Sequence, residues 1–307
     1  MTEIRQSRDG SRPPRWEEAL ASRLFRLLAP RLGRPADPTP PSSLQPWQSV
    51  DIPRPTPAGP LSGTWFPAAG AARGAVLLVP PWQRRGRAYF HRRGRLQALR
   101  AAGYHSLTVD LSNIGARTAP TGFYDRDVRA ALDYLADRCP GLPLFFWGVS
   151  NGGYWGHVAL AGDRRVLGAM FEDVSPHLLQ WSWRTTPWGR PFYLFFRHVL
   201  RRSYRFLDAR RHAASWTLRR ATYVAGTRDA GIPVTDSRQL AAVRDHHLHL
   251  VSGARHLESI KRARARVIEL ALATFSDACS DAQPDAGRSP CSDSQATISG
   301  PASVQTA

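Results

Sequence analysis

The stretch that decides the fold is Pro143-Leu144-Phe145-Phe146-Trp147-Gly148-Val149-Ser150-Asn151-Gly152-Gly153-Tyr154. Apolar and aromatic residues lead to Gly148, small residues surround one serine, and a run with helical character follows. This reads as a strand, a very tight turn and a helix, with Ser150 at the apex. A nucleophile held on so sharp a turn crowds the residues two places to either side, and glycine at 148 and 152 leaves room. The backbone N–H of Asn151 then opens the helix and can face an oxyanion. The competing reading is a glycine-rich turn with no chemistry, since the chain holds 24 glycines. The apolar run before the turn and the helix-length run after it favour the nucleophile.

Strand-like runs lie on both sides of this stretch, at 49–52, 61–66, 75–79, 104–109, 144–147, 166–171, 221–225 and 249–251. Helical segments at 92–102, 124–137 and 257–275 alternate with them. Residues 75–79, Ala-Val-Leu-Leu-Val, are continuously apolar, as a strand covered on both faces requires. The alternation predicts an α/β fold with a doubly wound, mostly parallel sheet. Before it, Trp16, Leu20, Leu24, Leu27 and Leu28 recur at helical spacing, flanked by Arg15, Arg23, Arg26 and Arg31. Such a helix packs on its own domain more often than it lies on a membrane surface. Pro35, Pro38, Pro40, Pro41 and Pro46 then make a stiff linker.

The alternation breaks between 176 and 220, where ten aromatics and ten arginines face a single acid, Asp208. Phe192, Phe195, Phe196, Val199 and Leu200 form one apolar stripe, with Arg197, Arg201, Arg202 and Arg205 mainly off it, and Pro191 suits a first helical position. The expectation is a helical insertion over the sheet edge, its aromatics turned to the pocket mouth or the sheet. Residues 276–307 are rich in Ser, Ala, Asp and Pro and predict a disordered tail. The expected division is therefore 1–47, helix and linker; 48–175, first part of the core; 176–220, lid; 221–275, second part of the core; 276–307, tail.

The chain carries 42 basic and 24 acidic residues, a formal charge of +18. An anionic membrane or a nucleic acid would suit that charge, although Lys261 is the only lysine and the arginine bias also fits codon composition. No nucleic-acid module accompanies the charge, so nucleic acid is the weakest partner. Cys139, Cys279 and Cys291 show neither a paired spacing nor a zinc pattern, which suits a reducing compartment. No charged-then-apolar leader pattern opens the sequence and no apolar stretch is long enough to span a bilayer. A cytoplasmic protein, with at most a peripheral contact to an anionic membrane, is expected.

A serine hydroxyl needs a base, and the base an orienting acid. Among ten histidines, His256 follows the strand-like run at 249–251 and the turn Ser252-Gly253-Ala254, so it occupies a loop at a strand's carboxyl end, as Ser150 does. His246, His247 and His249 are close in sequence, but no carboxylate at ligand spacing joins them, so no metal site is expected. Asp229 lies in the loop after 221–225, and Asp173, after the preceding strand, is its rival. The order Ser150, Asp229, His256 is one of the known triad orders.

With these residues in place, residues 49–275 resemble the α/β-hydrolase-fold superfamily. Gly148-Val149-Ser150-Asn151-Gly152-Gly153 resembles its nucleophile elbow, Asp229-Ala230-Gly231-Ile232-Pro233 its acid loop, and Gly253-Ala254-Arg255-His256 its histidine loop, with Arg255 where glycine is common. Gly103-Tyr104, Asp110-Leu111 and Gly115 resemble the segment leading out of its fourth strand. The insertion lies where that family carries a lid. After the third strand the family usually has His-Gly, where this chain has Pro80-Pro81-Trp82. Neither proline has an N–H to donate, so the oxyanion donors by position are the amides of Trp82 and Asn151.

The resemblance implies a serine hydrolase of the carboxylesterase or thioesterase kind. Ser150, His256 and Asp229 would act through an acyl-enzyme, with no metal or organic cofactor. The aromatic lid implies an apolar acyl or aryl substrate, and its arginines would allow an anionic head. The alternatives are an acyltransferase using the same triad, or a non-catalytic member of the fold binding an anionic lipid or another partner. The oligomeric state is not readable from the sequence.

Overall fold

A computed structural model describes residues 12–28, 38–54, 59–82, 85–112, 123–187 and 189–280. The prolines at 29–37, Gly115 and the tail from 281 lie outside the described residues. Eight strands form one sheet: β1 (Gln48–Ile52), β2 (Leu61–Phe66), β3 (Gly74–Val79), β4 (Tyr104–Val109), β5 (Leu144–Val149), β6 (Val166–Glu172), β7 (Arg220–Gly226) and β8 (His247–Val251). Their order is β1-β2-β4-β3-β5-β6-β7-β8, and only β2 runs against its neighbours. The expected doubly wound, mostly parallel sheet is present.

The continuous apolar runs are explained by burial on both faces. In β3, Ala75, Leu77 and Val79 join the core on one side of the sheet, and Val76 and Leu78 join the core on the other. In β5, Leu144 and Phe146 take the first side, and Phe145, Trp147 and Val149 the second. The first layer holds α3 (Asp125–Arg138) and α4 (Asn151–Ala159). The second is covered by α2 (Arg95–Ala101) and the closing α11 (Arg264–Ser280). The N-terminal helix α1 (Arg15–Leu28) packs on the body: Ala21 is buried, and buried Glu17 accepts the Ser203 N–H at 2.6 Å.

Between β6 and β7 the insertion consists of four helices, α5 (Leu178–Thr185), α6 (Gly189–His198), α7 (Arg201–Phe206) and α8 (Ala209–Ala213). It is tied to the body by the Tyr154 hydroxyl donating to the Leu207 carbonyl at 2.7 Å and by Arg184 paired with Asp236. The expected single stripe divides. Phe196 and Leu200 are buried and Phe192 is half-buried, whereas Phe195 and Val199 are exposed. Positions 192, 196 and 200 repeat every four residues, so they share the inward face. Positions 195 and 199 fall on the adjoining face and stay outside.

After β7 comes α9 (Val234–Ala241), and a short α10 (Ser259–Arg262) precedes α11. The helix expected over 257–275 thus begins later and ends later. Ala278 and Cys279 are buried, so residues 276–280 belong to the folded body rather than to the tail. Among the described residues no helix is long and apolar enough to cross a membrane.

Candidate active site

Ser150 joins β5 to α4 with φ 49° and ψ −119°, a conformation that a non-glycine residue holds only when its surroundings impose it. Those surroundings are the flanking glycines. A Cβ at Gly152 would lie 2.3 Å from the Val79 carbonyl oxygen and 2.4 Å from that of Pro80. A Cβ at Gly148 would lie 2.5 Å from the Gly153 Cα. The start of α4 therefore presses on the end of β3, which brings Asn151 beside the loop carrying Pro81 and Trp82. As the first residue of α4, Asn151 has an N–H with no intrahelical acceptor.

Ser150 Oγ stands 3.0 Å from Nε2 of His256, and Nδ1 of His256 stands 2.7 Å from Oδ2 of Asp229. With the ring proton on Nδ1, the Nδ1–H donates to Asp229 and Nε2 keeps a lone pair for the serine hydroxyl proton. Asp229 is buried, and its Oδ1 accepts the N–H groups of Gly231 and Ile232, each at 2.9 Å. The three residues singled out in the sequence thus form one hydrogen-bonded chain at the carboxyl ends of β5, β7 and β8. Burial pulls the His256 imidazole down; the hydrogen bond and charge of Asp229, with the charge of Asp173, outweigh it and leave the group raised.

Asp173, the rival acid, takes another place. Its Oδ2 accepts the Leu257 N–H at 2.8 Å and its Oδ1 the Gly226 N–H at 3.2 Å. It therefore holds the backbone next to His256 rather than the ring. Burial pushes this carboxyl up to about 7; the His256 charge opposes that, and the charges of Glu172 and Asp229 add to it. One oxygen of Asp173, one of Asp229 and a ring nitrogen of His256 lie within 4.8 Å of one another, the one grouping among the described residues with metal-ligand types. Both carboxylates and the imidazole are already committed to the hydrogen bonds just described.

Glu172 was not singled out in the sequence. Its carbonyl accepts the Ser150 N–H at 2.8 Å, anchoring the turn. Its buried carboxylate accepts from Arg95 at 2.8 and 2.9 Å and from the Trp147 indole at 2.7 Å. The available signal was an acid closing the otherwise apolar run 166–171. Asp110, at the end of β4, accepts from the backbone and side chain of Arg87 and so secures the loop that follows β3.

A cleft of about 130 Å³ opens over Ser150. Pro81, Trp82 and Asn151 line one part, Leu178 and Trp181 of α5 another, and Tyr154, Ile232 and His256 the rest. The Trp82 and Trp181 rings meet edge to face at 6.3 Å. No Arg, Lys, Asp or Glu lines the cleft among the described residues, so the lid arginines do not reach the position expected for an anionic head.

The chain has the α/β-hydrolase fold. An esterase of Pyrococcus furiosus, Pf2001, superposes with a TM-score of 0.63 at 17% identity, over 80% of this chain and 95% of that one. A puromycin-hydrolysing peptidase of Mycobacterium tuberculosis gives 0.57 at 18% identity, over 76% of this chain and 39% of the other. The acylaminoacyl peptidase of Pyrococcus horikoshii gives 0.57 at 12% identity, over 76% and 42%. No family model matches the sequence, and no curated protein matches it.

Proposed function

We propose that this protein is a serine hydrolase that cleaves a carboxylic ester or thioester. The observation that carries the reading is the hydrogen-bonded chain from Ser150 through His256 to Asp229, at 3.0 and 2.7 Å. Nε2 of His256 takes the hydroxyl proton as Ser150 Oγ attacks the acyl carbon. Asp229 holds the ring and stabilises its charged form. The amides of Trp82 and Asn151 donate to the developing oxyanion, and the proton on His256 passes to the leaving alcohol or thiol. Water, deprotonated by the same imidazole, then releases the acid and restores Ser150.

An apolar cleft of about 130 Å³ supports an uncharged, compact acyl or aryl group. A cavity of about 150 Å³ holds a single benzene ring. Among the described residues no charged Arg, Lys, Asp or Glu side chain lines the cleft, which favours an ester over a peptide whose terminal amine or carboxylate would need a partner. The test is covalent labelling with a fluorophosphonate, followed by turnover of p-nitrophenyl acetate, butyrate and octanoate. Labelling confined to Ser150 is expected, with kcat/KM falling between butyrate and octanoate. Ser150→Ala should abolish both labelling and turnover while leaving the melting temperature within a few degrees. Unchanged turnover in the purified variant would sink the assignment.

A further inference from the structure

We propose that the outer face of α6 and the turn into α7 dock on an anionic phospholipid bilayer. Leu194, Phe195 and Val199 lie within six residues and are 39, 38 and 56% exposed. Single exposed apolar side chains are ordinary, but an exposed cluster on one helix marks a surface that meets something apolar. The cations around it are unusual in their company. Arg197, Arg201 and Arg202 are exposed, and the sequence has no acid between Asp173 and Asp208. No salt bridge joins any of these three arginines to a carboxylate among the described residues. Glu17 stands at the start of α7, but it is buried and occupied by the Ser203 N–H.

An apolar ridge beside guanidinium groups that have no carboxylate partner matches the two layers of an anionic bilayer surface, acyl chains below and phosphates above. A nucleic acid would use the arginines and leave the aliphatic side chains in water. A soluble acidic protein would meet the charge, but a bilayer also takes a second exposed apolar pair, carried by α1. There Trp16 and Leu20, 64 and 37% exposed, lie one turn apart beside exposed Arg15 and Arg23, on the helix that packs against α7. The inference stands on this surface alone and does not require Ser150 to be a nucleophile. Because α5 walls the cleft and packs on α6, docking would hold the cleft near the bilayer.

The test is co-sedimentation of the full chain with vesicles of phosphatidylcholine, with and without phosphatidylglycerol, at low salt and at high salt. Binding to the anionic vesicles alone is expected, weakening as salt rises. Each arginine near the surface is worth roughly fivefold in partitioning, so Arg197→Gln, Arg201→Gln and Arg202→Gln together should cost on the order of a hundredfold. Phe195→Ser with Val199→Ser should lower binding to both salt conditions alike, since that contribution is not screened. Arg164→Gln, Arg219→Gln and Arg244→Gln remove the same charge at the opposite ends of β6, β7 and β8 and should change binding by less than about threefold. Equal losses from both arginine sets would reduce the effect to net charge and overturn the proposal. So would equal binding to neutral vesicles, binding to duplex DNA but not vesicles, or a dimer in sedimentation equilibrium that Phe195→Ser dissociates. All variants are at exposed positions, and an unchanged circular dichroism spectrum confirms that each is folded.

Discussion

Asp229 and Asp173 both stand close to His256, yet only Asp229 touches the ring; Asp173 holds the neighbouring backbone N–H of Leu257. Removing the charge from each should therefore fail differently. Asp229→Asn leaves the imidazole without an acceptor for Nδ1–H and favours the wrong tautomer, and should lower kcat by on the order of 10³–10⁴. Asp173→Asn leaves one backbone N–H without its acceptor, and should cost about 1–3 kcal/mol of stability with a smaller loss of kcat. Steady-state kinetics and urea unfolding of both variants separate the two roles, and the reverse ranking would make Asp173 the orienting acid. On the proposed mechanism, the raised His256 sets the pH profile. The ring must be neutral to accept the serine proton, so kcat/KM should fall as pH drops through a midpoint above the ordinary histidine value of about 6.5. In Asp229→Asn the same midpoint should move down, because burial would then act with one fewer opposing charge. Ser150, Asp229 and His256 were legible because each ends a recognisable strand in a short polar loop. The choice between two aspartates was not, because it depends on which carboxylate oxygen meets a ring nitrogen across two loops.

The glycine-flanked turn at Ser150 is the element most fully readable from sequence, since its spacing states a packing requirement that the fold meets. The glycine at 152 has its reason in backbone carbonyls of β3, which cannot move aside as a side chain could. Gly152→Ala should destabilise by about 1–3 kcal/mol and abolish ester turnover by separating α4 from β3. Gly70→Ala, where nothing lies within 4 Å of the added carbon, should be neutral in the same thermal melts. The lid was legible in type but not in orientation. Its aromatic stripe is wide enough to satisfy two faces of one helix, and only the packing of α5 and α7 against α6 decides which face is covered. Phe195 was consequently expected inside and lies outside, with Val199 beside it.

At the scale of the whole molecule, β6 is bound to the helical layer by a buried charge pair. Arg95 and Glu172 are both fully buried, and the Arg95 guanidinium also lies within 5.4 Å of the Trp147 ring centre. Arg95→Met should cost about 3–5 kcal/mol, because Glu172 would be left buried without its partner. Adding Glu172→Gln should restore part of it, read from urea midpoints. Such a pair is invisible to periodicity, which registers a lone arginine opening a helix and a lone acid closing a strand. The parallel order of β5, β6, β7 and β8 has a further effect in time. Ser150 and His256 are separated by 106 residues and meet only after three strand pairings that no hairpin can begin. Long-range pairings of this kind close slowly. During refolding from urea, helical circular dichroism should return first and the proposed ester turnover last, so that turnover would serve as the clock for the final step of sheet assembly.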